Sequence, residues 1–396
     1  MLRLSPQIRT VSLLLLLFVL FSVLNISAST ADATATHSLS VLPQATVTPT
    51  AAPATSAASM ALYDPVSGDF IAERDADARR PMASTTKIMT ALVVLEAMDP
   101  DTVVKIPAAA VGIEGSSIYL FVDEKMTVRT LLYGLLLSSA NDAAAALALV
   151  CAGSIESFAE QMNRKANELG LTNTHFVNPH GLHDDAHYST ARDMARLAAA
   201  ALENPTFAEI VSTVRYSVPQ NDTDATRLFL NHNRLLRSYG GTIGVKTGFT
   251  KASGRCLVSA ARRDGLTLIA VTLNDPNDWR DHAALYDWGF SQYVAFSPFL
   301  PPFSLPVVGG TESSVALQTA DSIHITLPAT HGEITCRIEA PHFLYAGFAA
   351  EKAVGRVTWE MDGNIIAESS LITATGIENE VTSLSLWERI KKLFGK

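Results

Sequence analysis

The stretch Pro81-Met82-Ala83-Ser84-Thr85-Thr86-Lys87-Ile88-Met89-Thr90-Ala91-Leu92 predicts the start of a helix, with small and β-branched residues first and an apolar run behind them. Ser84 and Lys87 are three residues apart, so on a helix their side chains project from the same face about one turn apart. The amine can then take the proton of the hydroxyl, and the positive end of the helix dipole favours a developing oxyanion. Ser-x-x-Lys alone is a frequent chance match, so its meaning depends on the rest of the chain.

Two further motifs follow in order along the chain. Ser139 and Asn141 lie in a polar turn between two helical segments, where they suit either simple helix capping or a proton relay and the orientation of a substrate amide. Lys246-Thr247-Gly248 ends a predicted strand. It is either a turn with a glycine or an edge strand that pairs with an extended substrate, in which Lys246 supplies positive potential and Thr247 a hydroxyl for a carboxylate.

Ser-x-x-Lys, Ser-x-Asn and Lys-Thr-Gly in this order are the signature of penicillin-binding proteins and serine β-lactamases. The chain resembles the serine D-alanyl-D-alanine carboxypeptidases, the low-molecular-mass penicillin-binding proteins, over roughly residues 57–375. The matching stretches are Pro81 to Glu96, Leu137 to Ala145, Thr172 to Ala195 and Gly244 to Gly248. The run TNTHFVNPHGLHDDAHYSTARDMA from Thr172 is the most specific of them.

The resemblance implies acyl transfer from a peptidoglycan stem peptide that ends in D-Ala-D-Ala, without a cofactor, and acylation of Ser84 by β-lactams. Neutral Lys87 takes the Ser84 proton, which requires burial or the nearby Lys246 to lower its pKa. The resemblance also implies that Ser139 relays a proton and Asn141 orients the substrate amide. Lys246 and Thr247 would bind the terminal carboxylate. The backbone N–H groups of Ser84 and Phe249 would form the oxyanion hole. Gly248 lets the strand approach the substrate closely, and Arg280 adds charge to the carboxylate site.

One departure is Phe249, where some members of that family carry histidine, which leaves substrate preference and pH dependence open. A serine β-lactamase is the nearest alternative, and Glu168 is the residue available to activate a deacylating water. A non-catalytic peptidoglycan-binding envelope protein is a second alternative. The histidine-rich part of the Thr172 run offers a zinc interpretation through His180, His183, His187, Asp184 and Asp185, but its spacing favours an ordered loop that holds no metal.

The predicted fold class is α+β. Residues 57–293 are expected to form a β-lactamase/transpeptidase-like domain, an antiparallel sheet with a helical cluster, and residues 294–375 a small all-β domain. The predicted strands of the sheet bracket the helical middle: Ser59 to Tyr63, Asp69 to Ala72, Gly244 to Thr247, Cys256 to Arg262 and Leu266 to Leu273. After Asn204-Pro205 the pattern changes from helices to strands.

The two ends of the chain predict export. Residues 1–30 have the basic, apolar and small-residue regions of a signal peptide, and residues 31–56 are expected to be a disordered linker. In residues 376–396, the stretch Ser383 to Lys396 has a cationic amphipathic pattern typical of an interfacial membrane helix, or of a helix docked on its own domain. We therefore expect the outer face of a bacterial cytoplasmic membrane or the cell wall. The net charge of −9 argues against nucleic acid as a partner.

Overall fold

The computed structural model describes residues 50–219 and 226–380 in full and the backbone of residues 34–41. The predicted signal peptide and the predicted amphipathic helix from Ser383 to Lys396 lie outside these residues. The chain divides into two compact units. The α+β unit comprises the described parts of Gln44–Ser297 together with His324–His331, and the β unit comprises Pro298–Ile323 and the described parts of Met1–Pro43 and Gly332–Lys396.

The helices of the described chain all lie in the α+β unit, and they are α1 (Lys87–Ala97), α2 (Val128–Leu136), α3 (Asn141–Ala152), α4 (Ile155–Glu168), α5 (Ala191–Leu202), α6 (Pro205–Ser212), α7 (Leu235–Ser238) and α8 (Asp278–Gln292). The strands are β1 (Thr34–Val41), β2 (Ser59–Tyr63), β3 (Phe70–Arg74), β4 (Val103–Lys105), β5 (Lys125–Thr127), β6 (Arg215–Pro219), β7 (Thr226–Leu230), β8 (Thr242–Thr250), β9 (Gly254–Arg263), β10 (Leu266–Leu273), β11 (Tyr293–Phe296), β12 (Ser304–Val308), β13 (Ser314–Thr319), β14 (Ile325–Pro328), β15 (Ile334–Pro341), β16 (Leu344–Tyr345), β17 (Ala353–Met361) and β18 (Asn364–Thr373).

A five-stranded antiparallel sheet of order β3-β2-β10-β9-β8 forms the centre of the α+β unit. Successive side chains of a strand point to opposite faces, so each central strand contributes to two cores. On β10, Ile269 and Val271 face the helical cluster, whereas Leu268 and Ala270 face a second core that α8 closes. This explains why β10 is buried along its whole length and carries an apolar run from Leu268 to Val271 between two threonines.

Helix α1 lies inside the helical cluster, where it contacts α2, α3, α4 and α5. Its first eight residues, from Lys87 to Val94, are all buried, and Lys87 is the only ionisable side chain among them. A helix that is apolar on every face belongs in a core. A lysine at its first position is therefore forced into the protein interior.

The β unit is built on a seven-stranded sheet of order β1-β15-β17-β18-β13-β12-β16. Burial alternates along β12, β13 and β15, as expected for strands with one face on a core, and Trp359 of β17 is among the largest fully buried side chains. The predicted α+β fold class with a small all-β domain is confirmed.

Three parts of the predicted organisation differ from the structure. Thr34–Val41, predicted as part of a disordered linker, is an edge strand paired with β15, because its alternating Thr, Ser, Leu and Val residues suit a strand. The α+β unit also begins before residue 57, since Thr50 and Ser56 hydrogen bond to side chains of α8. Finally, Pro205–Ser212 is a helix rather than the start of a strand region, with Pro205 in its first turn and Asn204 as its cap.

The remaining element predictions agree with the structure to within a few residues. Thr127 caps α2 by accepting a hydrogen bond from the Thr130 N–H, and Gly170, in the left-handed region, follows the end of α4. Cys256 and Cys336 are buried and unpaired, whereas Cys151 is only half-buried. Of the helices in the described chain, none is by itself long and apolar enough to cross a bilayer.

Candidate active site

The predicted nucleophile lies on a tight turn immediately before α1. Ala83–Thr86 forms a 3₁₀ turn in which the Thr85 N–H and hydroxyl both donate to the Met82 carbonyl, at 3.2 and 2.6 Å. Ala83 has a φ of +48°, a conformation that costs free energy in a non-glycine residue and is common at functional sites. The turn brings Ser84 to the wall of a cavity of about 520 Å³.

Lys87 makes three close contacts through its Nζ atom. Ser84 Oγ lies 2.9 Å away, Asn141 Oδ1 2.8 Å and the His180 carbonyl oxygen 2.6 Å. The last two are pure acceptors, so they take the two N–H bonds of a neutral amine and leave its lone pair for the Ser84 hydroxyl. These contacts match a neutral lysine poised to accept the Ser84 proton.

The electrostatic environment favours that neutral form. Burial lowers the pKa of Lys87 well below its ordinary value, and the positive charge of Lys246 lowers it further, while Asp142 opposes the shift. Burial also lowers the pKa of Lys246 to about 7. Both amines are enclosed, so at neutral pH the pair holds fewer protons than two exposed lysines would.

The Ser-x-Asn turn reaches the same cavity. Ser139 lies in its wall with a φ of +60°, and Asn141 begins α3. The Asn141 Nδ2 group donates to the Glu114 carbonyl at 2.6 Å, which turns Oδ1 toward Lys87. Gly115 leaves room for this contact, because a Cβ there would lie 2.7 Å from Asn141 Nδ2.

Asp142 anchors the loop that supplies the Glu114 carbonyl, and no sequence prediction singled it out. Its carboxylate accepts from the Ser117 hydroxyl at 2.6 Å and from the backbone N–H groups of Ile118 and Leu120 at 3.1 to 3.2 Å. It is also in the first turn of α3, where a negative charge is favourable. Asp142 therefore positions the loop, which in turn orients Asn141.

The Lys-Thr-Gly motif lies on the edge strand β8, beside the nucleophile. A Cβ on Gly248 would lie 3.1 Å from the Ser84 backbone nitrogen, so a larger residue would push the strand away. Thr247, Gly248 and Phe249 line the cavity, and the Phe249 side chain is 65% exposed. Lys246 is buried and donates to the Thr247 carbonyl at 2.9 Å.

The histidine-rich run forms a loop that packs on the nucleophile helix. Besides the His180 carbonyl at Lys87, the Pro179 carbonyl accepts from the Thr90 hydroxyl at 2.6 Å. His187 Nδ1 accepts from the Val177 N–H, so its Nε2–H donates to the Thr86 hydroxyl. Burial lowers the pKa of His187 to about 4 and of His180 to about 3. These contacts give the loop a positioning role. For the zinc interpretation, no group of three metal-ligating side chains converges among the described residues.

The structure does not bring Arg280 to the site, which corrects that prediction. Its side chain is 79% exposed, interacts with Asp281 at 3.8 Å, and does not line the cavity. The cavity instead contains Arg234, Arg237 and Arg255, which sequence reasoning missed. Arg255 stands opposite Phe249 across the β8–β9 ladder, and Asp278 of α8 holds it at 2.8 Å.

Comparisons with known proteins show which family the chain is similar to. The family described as D-alanyl-D-alanine carboxypeptidase matches residues 46–277, and the C-terminal domain of penicillin-binding protein 5 matches residues 303–379. D-alanyl-D-alanine carboxypeptidase DacF of Bacillus subtilis is 32% identical over 326 residues, which cover 79% of this chain and 84% of DacF.

Solved structures are also similar to the chain. Penicillin binding protein 5 from Haemophilus influenzae has a TM-score of 0.64 at 29% identity and covers 84% of this chain and 100% of its own. The Streptomyces K15 DD-transpeptidase has a TM-score of 0.58 at 38% identity and covers 61% of this chain and 99% of its own.

Proposed function

The chain belongs to the D-alanyl-D-alanine carboxypeptidase family, and from this premise we propose that Ser84 is its nucleophile and Lys87 its general base. The protein is a serine hydrolase that removes the terminal D-alanine from peptidoglycan stem peptides and is acylated by β-lactams. The observation that carries the assignment is the contact of Lys87 Nζ with Ser84 Oγ and two pure acceptors.

Acylation begins when Lys87 Nζ accepts the Ser84 proton and Oγ attacks the carbonyl carbon of the penultimate D-alanine. The backbone N–H groups of Ser84 and Phe249 stabilise the oxyanion, a role that the close approach of Gly248 to Ser84 supports. The C–N bond then breaks, and the leaving nitrogen of D-alanine takes the proton from Lys87 through Ser139. Lys87 is neutral again, and Asn141 holds the acyl amide.

Deacylation repeats these steps with water. Lys87 takes a proton from the water, whose oxygen attacks the acyl carbon, and the proton returns to Ser84 Oγ as the ester bond breaks. In a β-lactam adduct the leaving nitrogen remains tethered to the acyl group and obstructs this water. A long-lived adduct is therefore expected with β-lactams.

The β-lactamase alternative has little support from the geometry. Glu168 ends α4, forms an exposed ion pair with Lys165 at 2.8 Å and does not line the cavity. The one carboxylate among the described residues of the cavity wall is Asp278, whose two oxygens contact Arg255. The described residues of that wall therefore offer no free carboxylate to activate a deacylating water.

Product analysis separates the two activities. We expect the purified protein to release D-alanine from diacetyl-Lys-D-Ala-D-Ala with steady turnover. It should bind one equivalent of penicillin and hydrolyse it at least about a hundredfold more slowly than the peptide, because the tethered leaving group obstructs the deacylating water. D-Alanine release and penicillin hydrolysis are measured on the same sample. Rapid penicillin turnover without D-alanine release would contradict the proposal and favour a β-lactamase.

Lys246 and Thr247 are proposed to hold the terminal carboxylate of the peptide, and this role gives the enzyme an alkaline limit. Since the pKa of Lys246 is about 7, the ammonium is lost as pH rises through that value. We expect kcat/KM to fall above about pH 7, and kcat to fall at higher pH because a bound carboxylate stabilises the ammonium.

The matched variant is Lys246→Met, which keeps the volume and removes the charge. This variant is expected to lower kcat/KM about 10- to 100-fold, the value of a charge-assisted hydrogen bond. The decrease of kcat/KM above about pH 7 should also disappear. Because the pKa of Lys246 is lower in the folded state than in the unfolded state, its ionisation does not stabilise the fold at neutral pH. Removing the amine is therefore not expected to lower the melting temperature. An unchanged pH profile would contradict the assigned role of Lys246.

Export and membrane attachment are also proposed, on the sequence pattern of residues 1–30 and of Ser383 to Lys396. Together they favour a protein held at the outer face of the cytoplasmic membrane or in the cell wall, near its substrate. The β unit carries no catalytic motif and is proposed to act as a spacer or interaction platform.

A further inference from the structure

Two arginines in the cavity wall lack an acidic partner among the described residues. Arg234 and Arg237 line the cavity that contains Ser84, and neither makes an ion pair within the described part of the chain. The third arginine, Arg255, differs, because Asp278 contacts it at 2.8 to 3.1 Å. Partial burial and the charge of Lys246 lower the pKa of His232 in the same wall, which favours its neutral form. The uncompensated charge of the wall is therefore on Arg234 and Arg237.

The backbone beneath these arginines is fixed by two buried asparagines. Asn231 Oδ1 accepts from the Asn233 N–H at 2.9 Å, and Asn233 Oδ1 accepts from the Leu235 N–H at 3.1 Å. Asn231 Nδ2 also donates to two backbone carbonyls, those of Val211 and Thr213. Burial alternates along this segment, so that Asn231, Asn233 and Leu235 face inward and Arg234 is exposed. The guanidinium groups extend from an ordered backbone.

The charge of this wall is a local feature, since the whole chain carries a net charge of −9. Arg234 and Arg237 are three residues apart around α7, so both can reach one anionic group. Guanidinium groups bind carboxylates through paired N–H bonds. The terminal carboxylate of the substrate is already assigned to Lys246 and Thr247 on β8, which leaves this pair for a different carboxylate.

We propose that Arg234 and Arg237 form a subsite for a side-chain carboxylate on the residue that precedes D-Ala-D-Ala. The enzyme then prefers stem peptides whose third residue ends in a free carboxylate and disfavours those whose third residue ends in a free amine. This inference rests on the proposed function, since it assumes that the peptide is bound with its D-alanine end at Thr247.

Three acetylated peptides X-D-Ala-D-Ala test the subsite, with X a 2-aminoadipic acid, norleucine or lysine residue. We expect kcat/KM for D-alanine release to fall in that order, by about tenfold at each step, the value of one charge-assisted contact. In the R234Q/R237Q variant the three values are expected to converge to within about threefold. The R164Q/R215Q variant, with two exposed arginines outside the cavity, should keep the order of the parent protein.

Two results would overturn the proposal. One is equal use of the three peptides by the parent protein. The other is an equal loss for all three in R234Q/R237Q together with loss of penicillin binding, which would assign the arginines to the terminal carboxylate. An unchanged melting temperature reports that the variant is folded, and raising NaCl from 50 to 500 mM in the parent protein should reduce the preference without any substitution. Absence of D-alanine release from every peptide would instead refute the proposed function.

Discussion

Replacement of Ser84 by alanine is expected to abolish D-alanine release, with a loss of about 10⁵-fold or more in kcat, as for other nucleophiles that act as a unit with their base. The hydroxyl oxygen forms the acyl bond, and of the three contacts that Lys87 Nζ makes within the described chain, Ser84 Oγ at 2.9 Å is the one hydroxyl. Uptake of labelled penicillin should be lost as well. The measurement is D-alanine release and gel detection of the penicillin adduct.

Fold and specificity controls accompany this variant. Alanine removes a single oxygen at the cavity wall, so the melting temperature is expected to change little. Ser212→Ala, at an exposed serine that ends α6, should leave both activities at their original level. A Ser84→Ala protein that still becomes labelled by penicillin would show that a different residue is the nucleophile.

Replacement of Lys87 by arginine is expected to lower the rates of peptide hydrolysis and penicillin acylation by at least about a thousandfold, the upper range of general-base catalysis. Arginine keeps a cation and several N–H donors, but its guanidinium does not lose a proton in proteins. It can therefore donate to Asn141 Oδ1 and the His180 carbonyl but cannot accept the Ser84 proton. The measurement is the rate constant of acylation by a fluorescent penicillin.

Burial complicates this substitution, because a permanent charge at a fully enclosed position is destabilising. Lys87→Met provides a neutral second variant that folds without that penalty and that should be equally inactive. Lys165→Arg, at a surface lysine paired with Glu96 and Glu168, is the matched control and should keep full activity. Recovery of more than about a tenth of the acylation rate in Lys87→Arg would mean that the residue acts only as a donor.

The sequence allowed the central part of the site to be predicted, because the pairing of Ser84 with Lys87 depends on local helix geometry alone. The five-stranded sheet was also predictable, since β10 is a mostly apolar strand that follows a short Asp264-Gly265 turn. The helix ends at Thr127 and Gly170 were predictable for a similar reason, because capping depends only on residues within one turn of the helix end.

Other parts of the site depend on contacts between residues that are distant in the chain. The role of Asp142 emerges only when residues 114–120 pack against α3, and a carboxylate after Ser-x-Asn looks like an ordinary helix cap in the sequence. Arg234 and Arg237 likewise enter the cavity because buried Asn231 and Asn233 fold their segment. The spacing of these four residues, two asparagines followed by two arginines, was the one local signal available.

The central claim, that Ser84 forms an acyl-enzyme with Lys87 as its base, is tested most directly by mass spectrometry of the intact protein after incubation with penicillin, followed by digestion. We expect a single adduct on the tryptic peptide of residues 80–87, since trypsin cuts poorly between Arg80 and Pro81, with fragmentation that assigns the added mass to Ser84. The same sample without penicillin should release D-alanine from diacetyl-Lys-D-Ala-D-Ala. An adduct on any other residue, such as Ser139, or D-alanine release that penicillin does not inhibit, would contradict the claim.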